Sequence, residues 1–374
     1  MTNDDISDRL LDYLQNAVPR PQLSYSERPV RMMGGYDAAI FSFGLEGASE
    51  PLTGPLVLRL FQTGVDTDRA AREAAVQNAL AALGYPAPRV FVAEASPGPL
   101  GGAFVIMERM PGATLGSEFV GLSVEGLGQI LRLLLQLPRV RRDIVRLWGE
   151  AQTRLQALPV DAFLSQLESA GFPKESFTFD TCFAGVRAAV DELGLGELRP
   201  AVSWLAARRP NQVPTLVICH GDSQPLNVLA DHGQLSGVID WVKVVIADPA
   251  FDYGAALAIL STIPIRVPSA LRGALRAFMV GLTRQHARNY RELPSASEAT
   301  LRYHQVFNCV VQLVTVARNR AQGRTAQGAY NSPAGVTNLV NHIHSLTGLN
   351  VGIGSPTRQG AGLDRGRRQP EESS

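Results

Sequence analysis

The chain has 374 residues, 45% of them apolar and 18% charged, with a formal net charge of +1. That length allows two lobes with substantial cores, and the composition is that of an ordinary soluble globular protein. A charge balance so close to neutral gives no reason to expect nucleic acid or a membrane surface as partner, and it says nothing about oligomeric state.

The N-terminus, Met1-Thr2-Asn3-Asp4-Asp5, is acidic and lacks a basic, apolar leader, so a cytoplasmic location is expected. The first strand-turn-strand signal is Arg31 to Phe41, with Gly34 and Gly35 at its turn. Backbone amides in such a turn can cradle phosphate oxygens where bulkier residues would block the approach. Leu56 to Phe61 reads as a short strand carrying Arg59, bounded by Pro55 and Gly64. A helix is predicted to start near Asp66-Thr67-Asp68 and to stop at Gly84, with Glu73 in its second turn. Further strands follow over Arg89 to Ala93 and Ala103 to Glu108, the second running into Arg109-Met110-Pro111-Gly112.

From Ser123 to Leu158 the apolar residues recur at helical spacing, and Pro138 is expected to divide the segment in two. Its most apolar passage, Leu127 to Leu137, is broken by Arg132 and Gln136 and is too short to span a bilayer. More core helix is predicted over Val160 to Leu167, Cys182 to Leu193 and Leu198 to Arg208. Cys182, Cys219 and Cys309 form no metal-ligand pattern and read as reduced core thiols. The stretch from about residue 351 to Ser374, rich in Gly, Arg, Ser, Pro and Glu, reads as a disordered tail.

The most informative segment begins where an apolar strand, Val213 to Cys219, runs into His220-Gly221-Asp222. Asn227 follows five residues after Asp222, and Asp240 thirteen residues after Asn227, within Gly237-Val238-Ile239-Asp240-Trp241. Between them, Val228 to Asp231 and Leu235 to Trp241 flank a turn signal at His232-Gly233 and predict a hairpin. A turn centred on Gly233-Gln234 would pair 228 with 239 and 227 with 240. Adjacent strands lie about 4.8 Å apart, so Asn227 and Asp240 would share one ion at the open end. One amide and one carboxylate, completed by phosphate oxygens and water, suit Mg²⁺. Asp222, on the loop entering the hairpin, would face the same ion.

Asp222 and Asn227 have the spacing of the catalytic-loop Asp and Asn of protein kinases. With His220-Gly221-Asp222, Ile239-Asp240-Trp241 and Asp248-Pro249-Ala250-Phe251-Asp252, the chain resembles the aminoglycoside phosphotransferase and choline kinase family of small-molecule kinases. The resemblance implies an α+β, bilobal protein-kinase-like fold, with a small β-rich N-terminal lobe and a larger, mostly helical C-terminal lobe. The lobes would cover residues 1–110, binding nucleotide, and 111–350, holding the catalytic and acceptor sites. It implies Asp222 as catalytic base, Asn227 and Asp240 as metal ligands, and His220 as the residue that orders the loop. ATP or GTP and Mg²⁺ are the implied cofactors. Gly34 and Gly35 would cover the phosphates, and the backbone from Glu108 to Met110 would read the adenine edge. Asp248 or Asp252 would steady the catalytic loop.

One position departs from the protein-kinase pattern. The strand residue that pairs with a helix glutamate on the phosphates is Arg59 here, set against Glu73, because the only lysines, Lys174 and Lys243, lie outside this lobe. Guanidinium binds phosphate well, so the exchange is chemically reasonable. For the acceptor the signal is thin. Between residues 255 and 363 there are eleven arginines, from Arg266 to Arg358, against only Glu292 and Glu298. A polycationic aminoglycoside would need acidic walls, so a neutral or weakly charged hydroxyl compound, such as a macrolide-like, sugar-like or acyl-type alcohol, is the expected acceptor, whether an antibiotic or a metabolite. A protein kinase is disfavoured, since Asp248-Pro249 leaves no room for an activation loop after Asp240. The alternative is a non-catalytic nucleotide-binding module on the same fold.

Overall fold

The computed structural model describes residues 3–17, 23–32, 38–61, 68–95, 99–117, 127–210, 215–264, 269–324 and 328–354. Five antiparallel strands form the N-terminal sheet: β1 (Ser24–Arg31), β2 (Ala38–Glu46), β3 (Leu56–Phe61), β4 (Val90–Glu94) and β5 (Phe104–Glu108), in the order β1-β2-β3-β5-β4. The period-2 alternation of β5 sends Phe104 and Ile106 to one face and Val105 to the other. The first face is covered by α1 (Asn3–Ala17), through Ile6, Leu10 and Leu14. The second is covered by α2 (Arg69–Ala82), through Ala70 and Ala74. Helix α1 was not anticipated, although Ile6, Leu10 and Leu14 are spaced by four residues as a one-sided helix requires.

The chain leaves β5 and reaches the second lobe within a few residues. Strand β6 (Ala113–Thr114) already pairs with β8 (Val228–Asp231), Ala113 opposite Ala230. Gly112 makes that approach possible, because it sits at φ +89° and a Cβ there would strike the Ala230 carbonyl.

The C-terminal lobe is helical: α3 (Leu127–Gln156), α4 (Val160–Ser169), α5 (Phe179–Glu192), α6 (Arg199–Ala207), α7 (Ala250–Thr262), α8 (Ser269–Arg291), α9 (Glu298–Ala321) and α10 (Pro333–Thr347). Pro138 does not divide α3, which continues through it. The loss of one backbone bond at the proline is offset by burial of Ile144, Leu147, Trp148 and Ala151 in the following turns. Helix α7 is apolar on every side and lies at the centre, packed by α8, α9 and α10. Val351 and Ile353 pack into the core cluster that also holds residues of α5, α6, α9 and α10, and Gly352 and Gly354 lie against Glu197. The remainder of the expected tail, residues 355–374, lies outside the described residues. No described helix is long and apolar enough to cross a membrane.

Two small antiparallel ladders carry the predicted site. Strand β7 (Val217–Cys219) pairs with β10 (Val245–Ala247), and β8 pairs with β9 (Gln234–Val238).

Candidate active site

The loop leaving β7 is held from below by one carboxylate. Asp252, in the first turn of α7, accepts the His220 N–H on Oδ2 at 2.8 Å and the Gly221 N–H on Oδ1 at 2.9 Å. Burial raises the Asp252 carboxyl above the usual carboxylate range, while His220 and the two backbone donors oppose the shift. Asp248 has a different task. Its Oδ1 accepts the Ala250 N–H at 2.6 Å and so caps α7, and its carbonyl accepts the Cys219 thiol at 3.5 Å. Of the two acids expected at the loop backbone, Asp252 is the one in contact. Burial pushes the Cys219 thiol well up, which leaves it inert.

His220 ties the loop to the hairpin. Its Nδ1 accepts the Asp222 N–H at 3.2 Å, which assigns the ring proton to Nε2 and its bond to the Ile239 carbonyl at 2.9 Å. The ring packs on Trp241, with centroids 4.4 Å apart. Gly221 has φ +79°, and a Cβ there would collide with the Lys243 carbonyl, so the loop and the turn after β9 are in backbone contact. Ser223 anchors the far side of the loop. Its hydroxyl accepts from Trp148 Nε1 at 2.8 Å and Gln152 Nε2 at 3.1 Å, both on α3.

Asn227 closes a short 3₁₀ turn, Pro225–Asn227, and is 7% exposed. Its Nδ2 donates to the Asp222 carbonyl at 2.9 Å, and its own carbonyl accepts the Ile239 N–H at 2.9 Å. With the amide nitrogen committed to the loop, the amide oxygen is the group that could serve an ion. The hairpin register differs from expectation by one residue. Val228 pairs with Val238, and the turn falls at His232-Gly233, both at positive φ. The extra residue is Ser236, which bulges out and donates to the Pro111 carbonyl at 2.7 Å. Asp240 therefore lies one residue past the pairing, at φ 70° and ψ 63°, in the left-handed region. Asp is one of the few side chains that tolerate it, and a strained backbone at this position suits a functional residue.

The other wall of the cleft comes from β3 and α2. Arg59 is 5% exposed, and its Nη1 meets Glu73 Oε1 at 2.7 Å. Gln77 Nε2 donates to the same Glu73 oxygen at 3.1 Å. From this position Arg59 Nη2 reaches across to Asp240 Oδ1 at 3.2 Å. The strand arginine, the helix glutamate and the acid after β9 thus form one chain of charges; the resemblance implied the pair of Arg59 with Glu73, and the contact with Asp240 was not expected. Asp222 meets a cation that the sequence reading had set aside. Lys243 Nζ lies 3.2 Å from Asp222 Oδ2. Its signal was a lysine three residues after Asp240, one of only two in the chain.

In the segment joining the lobes, the Glu108 N–H goes to the Arg89 carbonyl and the Arg109 N–H to the Pro55 carbonyl, each at 2.9 Å. Met110 packs its side chain over Gly237 of the hairpin, where an added Cβ would crowd it at 3.0 Å. Gly34 and Gly35 lie outside the described residues. No cluster of three or more His, Cys, Asp and Glu side chains able to hold a metal occurs among the described residues.

Among solved structures, a thermostable mutant of aminoglycoside phosphotransferase APH(4)-Ia, in a ternary complex with ADP and hygromycin B, aligns at a TM-score of 0.57 and 17% identity. The alignment covers 88% of this chain and 97% of that one. Macrolide 2'-phosphotransferase type I aligns at a TM-score of 0.52 and 15% identity, over 94% of this chain and 98% of that one. At these identities both speak for the fold alone, the kinase-like architecture expected above. No curated protein matches the chain. The family model of the APH phosphotransferases matches residues 34–293. The chain belongs to the phosphotransferase enzyme family.

Proposed function

We propose that the protein transfers the γ-phosphoryl group of ATP or GTP to a hydroxyl of a small molecule. One observation carries this reading: a single hydrogen-bonded frame holds Asp222, Asn227 and the residue before Asp240 together, opposite the Arg59–Glu73 pair. Family membership and likeness to antibiotic phosphotransferases, one of them with ADP, support it.

In this reading Asp222 orients the acceptor hydroxyl and takes its proton, and His220 fixes the Asp222 backbone through its N–H. Asn227 and Asp240 offer one amide oxygen and one carboxylate, a hard oxygen set that fits Mg²⁺ when nucleotide phosphates and water complete the shell. Asn227 and Asp240 would hold such an ion, which would supply positive charge against the phosphates. Arg59, held by Glu73, adds a guanidinium on the phosphate side, and Gly34-Gly35 would cover the phosphates. The backbone from Glu108 to Met110 would read adenine. It crosses between a nucleotide lobe of residues 1–110 and a catalytic and acceptor lobe from residue 111, a division supported by the pairing of β6 with β8. Positioning and electrostatics would supply the rate.

The expected result for Asp222→Asn is retained nucleotide binding and a transfer rate lower by about 100-fold or more. A screen of hydroxylated metabolites and antibiotics, with the product located by mass, provides the acceptor for that measurement. An unchanged rate would remove Asp222 from the mechanism. Nucleotide bound without turnover under any condition would favour a non-catalytic module.

A further inference from the structure

Lys243 is built into the catalytic loop rather than resting beside it. Its backbone carbonyl occupies the space that a side chain at Gly221 would need. Two residues later the chain enters the β10–β7 ladder, with Val245 opposite Cys219. Its ammonium is thereby delivered to Asp222 Oδ2 at 3.2 Å, with the lysine side chain 39% exposed and that of Asp222 16%. An acceptor hydroxyl that donates to Asp222 must place its neighbouring substituents against this cation.

We propose that Lys243 determines the charge of the acceptor: the phosphorylated compound carries a neutral or anionic group beside its reacting hydroxyl, and compounds with an ammonium there are excluded. The inference rests on the kinase reading above and names the substrate class of that same site. Two physical effects combine. An incoming ammonium finds the Asp222 carboxylate already balanced by Lys243, and it meets a like charge in a partly desolvated cleft. At about 5 Å and an effective dielectric near 20, such repulsion corresponds to roughly a 100-fold loss of binding.

A second cation acts on the same region. Arg72 lies over the Phe177 ring at 3.9 Å, and its Nη2 donates to the Ser176 carbonyl at 3.2 Å. Burial raises the Cys182 thiol to about 11, and both Lys243 and Arg72 pull it down, so both charges act on this thiol. Asp180, on the same helix as Cys182, is matched by Arg209 in an ion pair.

The experiment measures transfer from Mg-ATP to a panel of hydroxylated metabolites and antibiotics grouped by the charge beside the hydroxyl. Glucosamine, glucose and glucuronate form one matched set within it. Wild type, Lys243→Met and Lys243→Glu are compared, with nucleotide Kd and melting temperature recorded to establish that each variant is folded. Wild type is expected to accept neutral or carboxylate-bearing compounds. Relative kcat/KM for ammonium-bearing compounds should rise about 100-fold in Lys243→Met, which removes the repulsion, and further in Lys243→Glu, which reverses it. A wild-type preference for ammonium compounds, or a ratio that does not move across the three proteins, overturns the inference and leaves the kinase reading standing. ATP turnover without transfer to any compound also overturns it. Absence of both nucleotide binding and turnover in wild type defeats the kinase reading itself, and the inference with it.

Discussion

The two acids of the candidate site, Asp240 and Asp222, meet their cations in different ways. Asp240 is reached from the other lobe by Arg59, a side chain 6% exposed and already bound to Glu73, whose side chain is 1% exposed. Asp222 is met by Lys243, from the turn immediately after Asp240; this cation is far more open than Arg59, 39% against 6%, although Asp222, at 16%, is less exposed than Asp240, at 39%. The first arrangement couples the lobes through a buried charge and is expensive to disturb. The second is local and adjustable. Similar ion-pair lengths therefore imply different contributions: stability in one case, selectivity in the other.

Substitutions can break this contrast. Arg59→Met leaves the Glu73 carboxylate buried without its guanidinium and should destabilise the fold by about 3–5 kcal/mol, read by urea unfolding. A loss below about 1 kcal/mol would mean that the lobe-crossing arginine is as replaceable as a surface one. Asp252→Ala strands the N–H groups of His220 and Gly221, and roughly 3 kcal/mol should disappear in the same assay. Because that acid holds the catalytic loop, transfer should fall with stability.

Acid sharpens the picture for buried groups outside the cleft. Burial lowers His286 and His304 to about 3, whereas an unfolded imidazole titrates near 6.5. Between those values the unfolded chain binds more protons, so the stabilisation is present above about pH 6.5 and is lost as pH falls toward 3. At pH 5 each histidine should remove about 2 kcal/mol relative to pH 8. His286→Phe, which can keep the stack on Trp148, should abolish its share of that slope. The smallest effect belongs to Lys243→Met. Its stability should stay within about 1 kcal/mol of wild type in urea unfolding, since the pair is partly solvated.

Much of the site was legible because chemistry constrains spacing. Asp222, Asn227 and Asp240 had to fall where a tight loop and a hairpin could bring them together, and Arg59 and Glu73 had to sit on successive elements of one lobe. What escaped notice depended on tertiary contact. The register departs from expectation because the turn centres on His232-Gly233, and the Ser236 bulge, whose hydroxyl finds the Pro111 carbonyl 125 residues away in sequence, reduces the offset from two residues to one. The loop-bracing role went to Asp252 rather than Asp248 because one turn of helix separates capping from reaching the loop. The place of Lys243 beside Asp222 follows from its backbone contact with Gly221, which no local sequence pattern encodes. Helix α3 outlasted its proline because the turns beyond it are buried.

Helix α2 is fastened from below. Arg72 bonds to Ser176, the Tyr85 hydroxyl just beyond its end bonds to the Ala151 carbonyl, and the Pro86 carbonyl accepts the Val238 N–H at 2.8 Å. Although it covers the upper sheet, this helix is moored to the larger body beneath. The Asn78–Val90 bonds and the Arg59–Glu73 contact tie the same helix to the sheet above, so α2 is the rivet through which strain in either lobe reaches the other.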